Sequence, residues 1–86
     1  MINFKNEIAK IISKITNINE MELEGYIEVP PDENMGDYAF PCFRLAKELK
    51  KAPPVIANEL KEKIEEEKEI LEKVEVVGGY LNFYIN

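Results

Sequence analysis

The apolar positions of residues 3–16 recur with a helical period. Phe4, Ile8, Ile11, Ile12 and Ile15 form one stripe along a single face. Asn3 is placed to cap this helix, and Thr16-Asn17-Ile18-Asn19 closes it with residues that favour caps and turns. Residues 24–29, Glu-Gly-Tyr-Ile-Glu-Val, read as a short strand. The segment Pro30-Pro31-Asp32-Glu33-Asn34-Met35-Gly36-Asp37 is an acidic loop with strong turn chemistry. Tyr38-Ala39-Phe40 resumes an extended chain, because a residue before proline is pushed away from helix.

Pro41 suits the first position of a helix, so a second helix is predicted over 41–51. Its inward residues are Leu45, Ala46 and Leu49; Arg44, Lys47, Glu48 and Lys51 point outward. Pro53-Pro54 breaks it. A third helix starts at Pro54 and continues the stripe through Ile56, Ala57, Leu60 and Ile64 to about residue 69, with Glu65–Glu69 as its solvated end. The period then changes from helical to alternating. Val74–Val77 is a strand, Gly78-Gly79 a hairpin turn and Tyr80–Ile85 the partner strand. Within it Leu81, Phe83 and Ile85 share the core face, and Tyr80, Asn82 and Tyr84 share the other.

The predicted order is α-β-β-α-α-β-β. Each helix has one stripe to bury, and a sheet needs one covered face. The expectation is an α+β fold: a two-layer α/β sandwich, with the helices on one face of a small antiparallel sheet and the other face open. Residues 1–86 suffice for a single domain.

Composition removes several function classes. The chain has no histidine, hence neither the commonest general base nor the commonest metal ligand. Cys42 is the only cysteine and has no base to activate it, so it reads as a half-buried structural thiol. Gly36-Asp37 reads as a turn glycine followed by a carboxylate that accepts backbone N–H bonds. Asp32, Glu33 and Asp37 lack the spacing of a calcium loop, so no metal site is expected. No catalytic residue is assigned. Lys5, Glu7 and Lys10 interrupt the N-terminal apolar segment, which is therefore no secretory signal, and the expected location is the cytoplasm. No apolar run approaches the roughly 20 residues of a membrane span.

A net charge of −6 argues against a broad nucleic-acid footprint. The charges are segregated, however. Residues 20–37 carry seven acids and no base, whereas residues 38–58 hold Arg44, Lys47, Lys50 and Lys51 against Glu48 alone. Each of these four basic side chains, taken singly, reads as part of a solvated helix face. As a group they are candidates for phosphate contacts. Tyr80, Asn82 and Tyr84 place two aromatic rings around an amide, the chemistry that stacks an unstacked base and bonds its edge. Tyr84 is equally suited to packing against another domain.

Val29-Pro30-Pro31, Gly36-Asp37-Tyr38-Ala39, Leu45-Ala46-Lys47, Pro53 with Ile56-Ala57, and Val76 with Gly79-Tyr80-Leu81-Asn82-Phe83 occur in that order. Together they resemble the N-terminal additional domain of arginyl-tRNA synthetases, over roughly residues 24–84. The first helix fits by position and amphipathicity. The chain departs from many relatives at Phe40-Pro41, where they carry a small polar residue or asparagine, and this bears on where the second helix starts.

The resemblance implies a two-layer α/β domain that precedes a catalytic domain and contacts the D-loop at the elbow of arginine tRNA. By motif position, Tyr80 and Asn82 touch an exposed D-loop base. It also implies that ATP with magnesium serves the parent ligase and that this domain holds no cofactor, since the adenylation motifs are absent. The implied partners are arginine tRNA and the catalytic domain of the same synthetase, with no DNA and no membrane. The competing expectation is a protein-docking module whose open sheet face has no RNA role.

Overall fold

In a computed structural model the described residues are 3–67 and 71–85, without the side chains of Glu33 and Glu67. Helix α1 spans Phe4–Thr16. The Asn3 side chain caps it by accepting the Asn6 N–H, and Asn17 ends it in the left-handed conformation, φ 64°. Ile8, Ala9 and Ile12 are its buried residues, as the stripe predicts.

The second element differs from expectation. Glu20–Tyr26 forms helix α2, not the beginning of a strand. Two side chains account for this. Asn19 caps the helix by accepting the N–H groups of Met21 and Glu22. Asn6 of α1 donates its amide to both Glu20 and Glu24, each at 2.9 Å. Those carboxylates stand four apart and share one side of a helix, so gripping one amide requires the helical spacing. The strand reading survives only as a single bridge, in which Glu28 and Ala39 exchange backbone hydrogen bonds.

After a 3-10 turn at Glu33–Met35 comes β1, Tyr38–Pro41. Pro41 is therefore the last residue of a strand and not the first of a helix. At the end of a short outer strand its missing N–H removes no needed ladder bond. The second helix begins as a 3-10 segment, Cys42–Leu45, and becomes α3 at Ala46–Leu49, ending at Lys50 with φ 55°. The cause of the tight start lies across the fold: the Cys42 N–H donates to the carbonyl of Gly79 at 2.9 Å. Helix α4 spans Pro53–Ile64, one residue earlier than predicted, with Pro53 and Pro54 in its first turn. A 3-10 turn continues it through Glu65–Glu67; the predicted extension to residue 69 falls outside the described residues.

Strands β2, Leu71–Val77, and β3, Tyr80–Ile85, form the expected hairpin. Among the described residues the sheet has three antiparallel strands in the order β1-β3-β2. The register sets Phe40, Leu81 and Val76 in one row and Tyr38, Phe83 and Val74 in another, all on the core face. Helix α4 packs on β2 and β3, and α1 packs on α2 and α4. Phe40, Leu81 and Phe83 join Ile8, Ile12, Leu45, Ile56 and Ile64 in the core. Each such fully buried side chain contributes roughly 1.5–3 kcal/mol. The α+β sandwich with helices on one sheet face is thus the observed fold, its first predicted strand replaced by a helix. Cys42 is fully buried, not half-buried, and desolvation pushes its thiol up to about 12.

Candidate nucleic-acid interface

The central strand β3 carries the candidate residues on the face opposite the core. In that face the register aligns Ala39, Asn82 and Glu75 in one row and Pro41, Tyr80 and Val77 in the next. Tyr84 stands opposite Lys73. Tyr80 and Tyr84 are half-buried. Asn82 departs from expectation: its side chain lies on the outward face yet is only 1 % exposed. Its Nδ2 is buried without a hydrogen-bond partner among the described residues. On this central strand its cross-strand partners are Ala39 and Glu75, so strands flank it on both sides.

The two tyrosines are held in different ways. The Tyr84 hydroxyl donates to the Asn34 carbonyl at 2.8 Å, tying the end of β3 to the acidic loop. Lys73 lies 4.5 Å from the centre of the Tyr84 ring and pairs with Glu75 at 2.7 Å. The hydrogen bond to the Glu75 carboxylate raises the Lys73 pKa. Tyr80 meets Phe43 edge to face, with centroids 5.9 Å apart and planes at 81°. Arg44 lies over two rings, 5.8 Å from the centre of Phe43 and 5.4 Å from that of Tyr26. Tyr26 in turn donates to Glu22, a bond that raises the pKa of the phenol.

The structure divides the four basic candidates. Arg44 joins the tyrosine face through Phe43. Lys47 and Lys50 are exposed and make no ion pair with a described residue. Lys51 is engaged elsewhere, paired with Glu59 of α4 at 2.7 Å beside a small cleft lined by Ile15, Leu49 and Leu60. Sequence reasoning missed Phe43 and Lys73. Phe43 had a signal: it is an aromatic residue off the Leu45-Ala46-Leu49 stripe, next to an arginine. Lys73 had none, because only the strand register sets it against Tyr84.

The family profile described as the arginyl tRNA synthetase N terminal domain matches residues 3–85. The chain belongs to this family. Arginine–tRNA ligases of Clostridium botulinum (strain Loch Maree) and Clostridioides difficile (strain 630) are each 52 % identical to it, over 85 and 87 residues. Those alignments take in 99 % and 100 % of this chain but 15 % of each relative. The solved arginyl-tRNA synthetase of Thermus thermophilus superposes with a TM-score of 0.74 at 34 % identity, over 98 % of this chain and 14 % of that one. In this arginyl-tRNA synthetase N-terminal domain, Tyr80, Asn82 and Tyr84 alternate along the strand β3. Among its described residues there is no group of three His, Cys, Asp or Glu side chains that could hold a metal ion, and no helix long and apolar enough to cross a membrane.

Proposed function

We propose that this domain binds the D-loop at the elbow of arginine tRNA on behalf of an arginine–tRNA ligase. Tyr80 stacks on a looped-out base, Asn82 bonds the edge of that base, and Tyr84 borders the platform. The observation that carries this reading is the orphaned Nδ2 of Asn82. A buried donor left unpaired costs about 1–3 kcal/mol. Folded proteins keep few such atoms, and a base acceptor would satisfy this one. The half-buried rings of Tyr80 and Tyr84, on either side of Asn82 in the strand, supply the stacking surface. Arg44 adds a phosphate contact, with Lys47 and Lys50 as weaker outlying ones. Lys51, held by Glu59, contributes least.

In this reading the contact is positional. It helps present the acceptor end of the tRNA to a catalytic domain elsewhere in the synthetase, and a small interface gains weight because it is linked to a larger one. ATP, arginine and magnesium belong to that other part. The location implied is the cytoplasm.

The test is aminoacylation by the synthetase that contains this domain. Tyr80→Ala and Asn82→Ala each lower kcat/KM for arginine tRNA by about tenfold, the scale of one lost base stack, and leave ATP and arginine binding unchanged. Charging that is indifferent to both substitutions rules out the D-loop role. Loss of synthetase integrity without a change in tRNA preference would instead identify a docking face.

A further inference from the structure

We propose that Phe43 and Arg44 form a second nucleotide subsite beside Tyr80 and Asn82. Phe43 stacks the base next to the one seated over Asn82, and Arg44 pairs with the phosphate between the two. This extension rests on the RNA-binding reading above.

The placement of Phe43 is built in. The bond from the Cys42 N–H to the Gly79 carbonyl fastens the start of the 3-10 segment to the hairpin turn. Gly79 is itself closely packed: a Cβ there would stand 3.1 Å from the Cβ of Pro53 at the start of α4. Three parts of the chain thus meet at this corner and hold Phe43 against Tyr80. Yet the corner does not bury the ring. Phe43 is 48 % exposed, one of the few large apolar side chains so displayed, while its neighbours Pro41, Cys42 and Leu45 are buried. Tyr80 meets the ring edge to face and Arg44 lies over it, and the exposure that remains beside these two contacts is ring surface open to a further planar group. Single-stranded RNA supplies such groups at successive bases.

Arg44 supplies the complementary charge. It is exposed and makes no ion pair with a described residue, although the chain carries an excess of acids and Lys10, Lys51 and Lys73 all have carboxylate partners. Its guanidinium rests over Phe43 and Tyr26 instead. Rings hold the group without using its N–H donors, which make no hydrogen bond to a described residue and are available to a phosphate. The two ring contacts restrict the side chain before the ligand arrives, which lowers the cost of ordering it on binding.

The test is titration of this chain with an arginine tRNA transcript, followed by NMR. Phe43→Ala weakens binding about tenfold, Phe43→Leu nearly as much, and Phe43→Tyr restores it. Arg44→Gln weakens binding about fivefold and lowers the slope of log K against log salt by about one. Transcripts with an abasic site on either side of the looped-out base decide the role of the ring. At one of the two positions wild type loses the same tenfold, and Phe43→Ala then adds no further loss. If Phe43→Ala acts equally on every transcript, the ring only positions Tyr80 and the subsite is wrong. Full effects of Tyr80→Ala and Asn82→Ala beside silent changes at Phe43 and Arg44 would remove this proposal and keep the first. Silence at all four positions would remove both. Unchanged tRNA affinity of Phe43→Ala and Arg44→Gln in these titrations, together with a lower melting temperature of the synthetase that contains this domain, would overturn the subsite and make this corner a protein contact.

Discussion

Gly36 sets its bare α-carbon against the backbone carbonyl of Phe83: a Cβ there would stand 2.8 Å from that oxygen. The residue also has φ 93°, a region closed to most side chains. The next residue uses the close approach. The Asp37 N–H donates to the Phe83 carbonyl at 2.8 Å, and the Asp37 carboxylate accepts the Ile85 N–H at 2.9 Å. The acidic loop is thereby locked onto the strand that carries the candidate site.

Gly36→Ala should accordingly destabilise the domain by about 2–3 kcal/mol, since both the conformation and the space are refused. Gly25 is the internal control. It lies in α2, and an added Cβ there would meet nothing within 4 Å. Gly25→Ala should raise stability by about 0.5–1 kcal/mol through lower unfolded-chain entropy. Urea denaturation of the two variants checks the contrast, and equal effects would refute it.

Asn82→Leu should keep or raise stability, by up to about 1–2 kcal/mol, because it replaces an amide whose buried Nδ2 has no partner among the described residues by an apolar group of similar volume. The same variant should lose tRNA affinity. Opposed signs in thermal melting and in tRNA titration are the mark of a residue kept for a ligand. Strong destabilisation by Leu would show that the amide serves the fold instead.

Cys42 gives a dependence on pH with a defined sign. Burial raises its folded pKa from 9.0 to about 12. The unfolded chain therefore releases the thiol proton first, and stability from this group is complete below about 9 and is lost as pH rises towards 12. The slope in that window is about −1.4 kcal/mol per pH unit at most. Subtracting the pH profile of Cys42→Ala isolates it from other groups that titrate there. In native protein near neutral pH the thiol should resist alkylation, and it should react at once in denaturant.

Asn6→Ala should release α2 from α1. It removes one amide that serves both Glu20 and Glu24, leaving two carboxylates adjacent without their shared donor. A loss of about 1–2 kcal/mol is expected. Amide exchange should quicken in residues 20–26 well before it does in the sheet.

These relationships explain which parts of the molecule could be read from the chain alone. Helix α1 was legible because its stripe and both of its asparagine ends are local. The β2–β3 hairpin was legible because alternation and Gly78-Gly79 are local too. Helix α2 was not. Of its residues only Leu23 is buried, too little for a visible period, and its confirming partner is Asn6, fourteen and eighteen residues away from the two carboxylates. The start of the second helix failed likewise. Pro41 fits a helix start by itself, but its pairing with Tyr80 and the Cys42–Gly79 bond make it the end of a strand.

Period-two alternation was enough to send Tyr80, Asn82 and Tyr84 to the face opposite Leu81 and Phe83, since a strand permits nothing else. It was silent on depth. Whether an outward residue meets water depends on what neighbouring strands and loops lay beside it, and these arrive from residues 28–41 and 71–77. The burial of Asn82, the ring of Phe43 against Tyr80 and the seat of Arg44 on two aromatics are consequences of that assembly. Side-chain direction follows from the local backbone; burial and partnership come from contacts between distant segments, which only the packed chain creates.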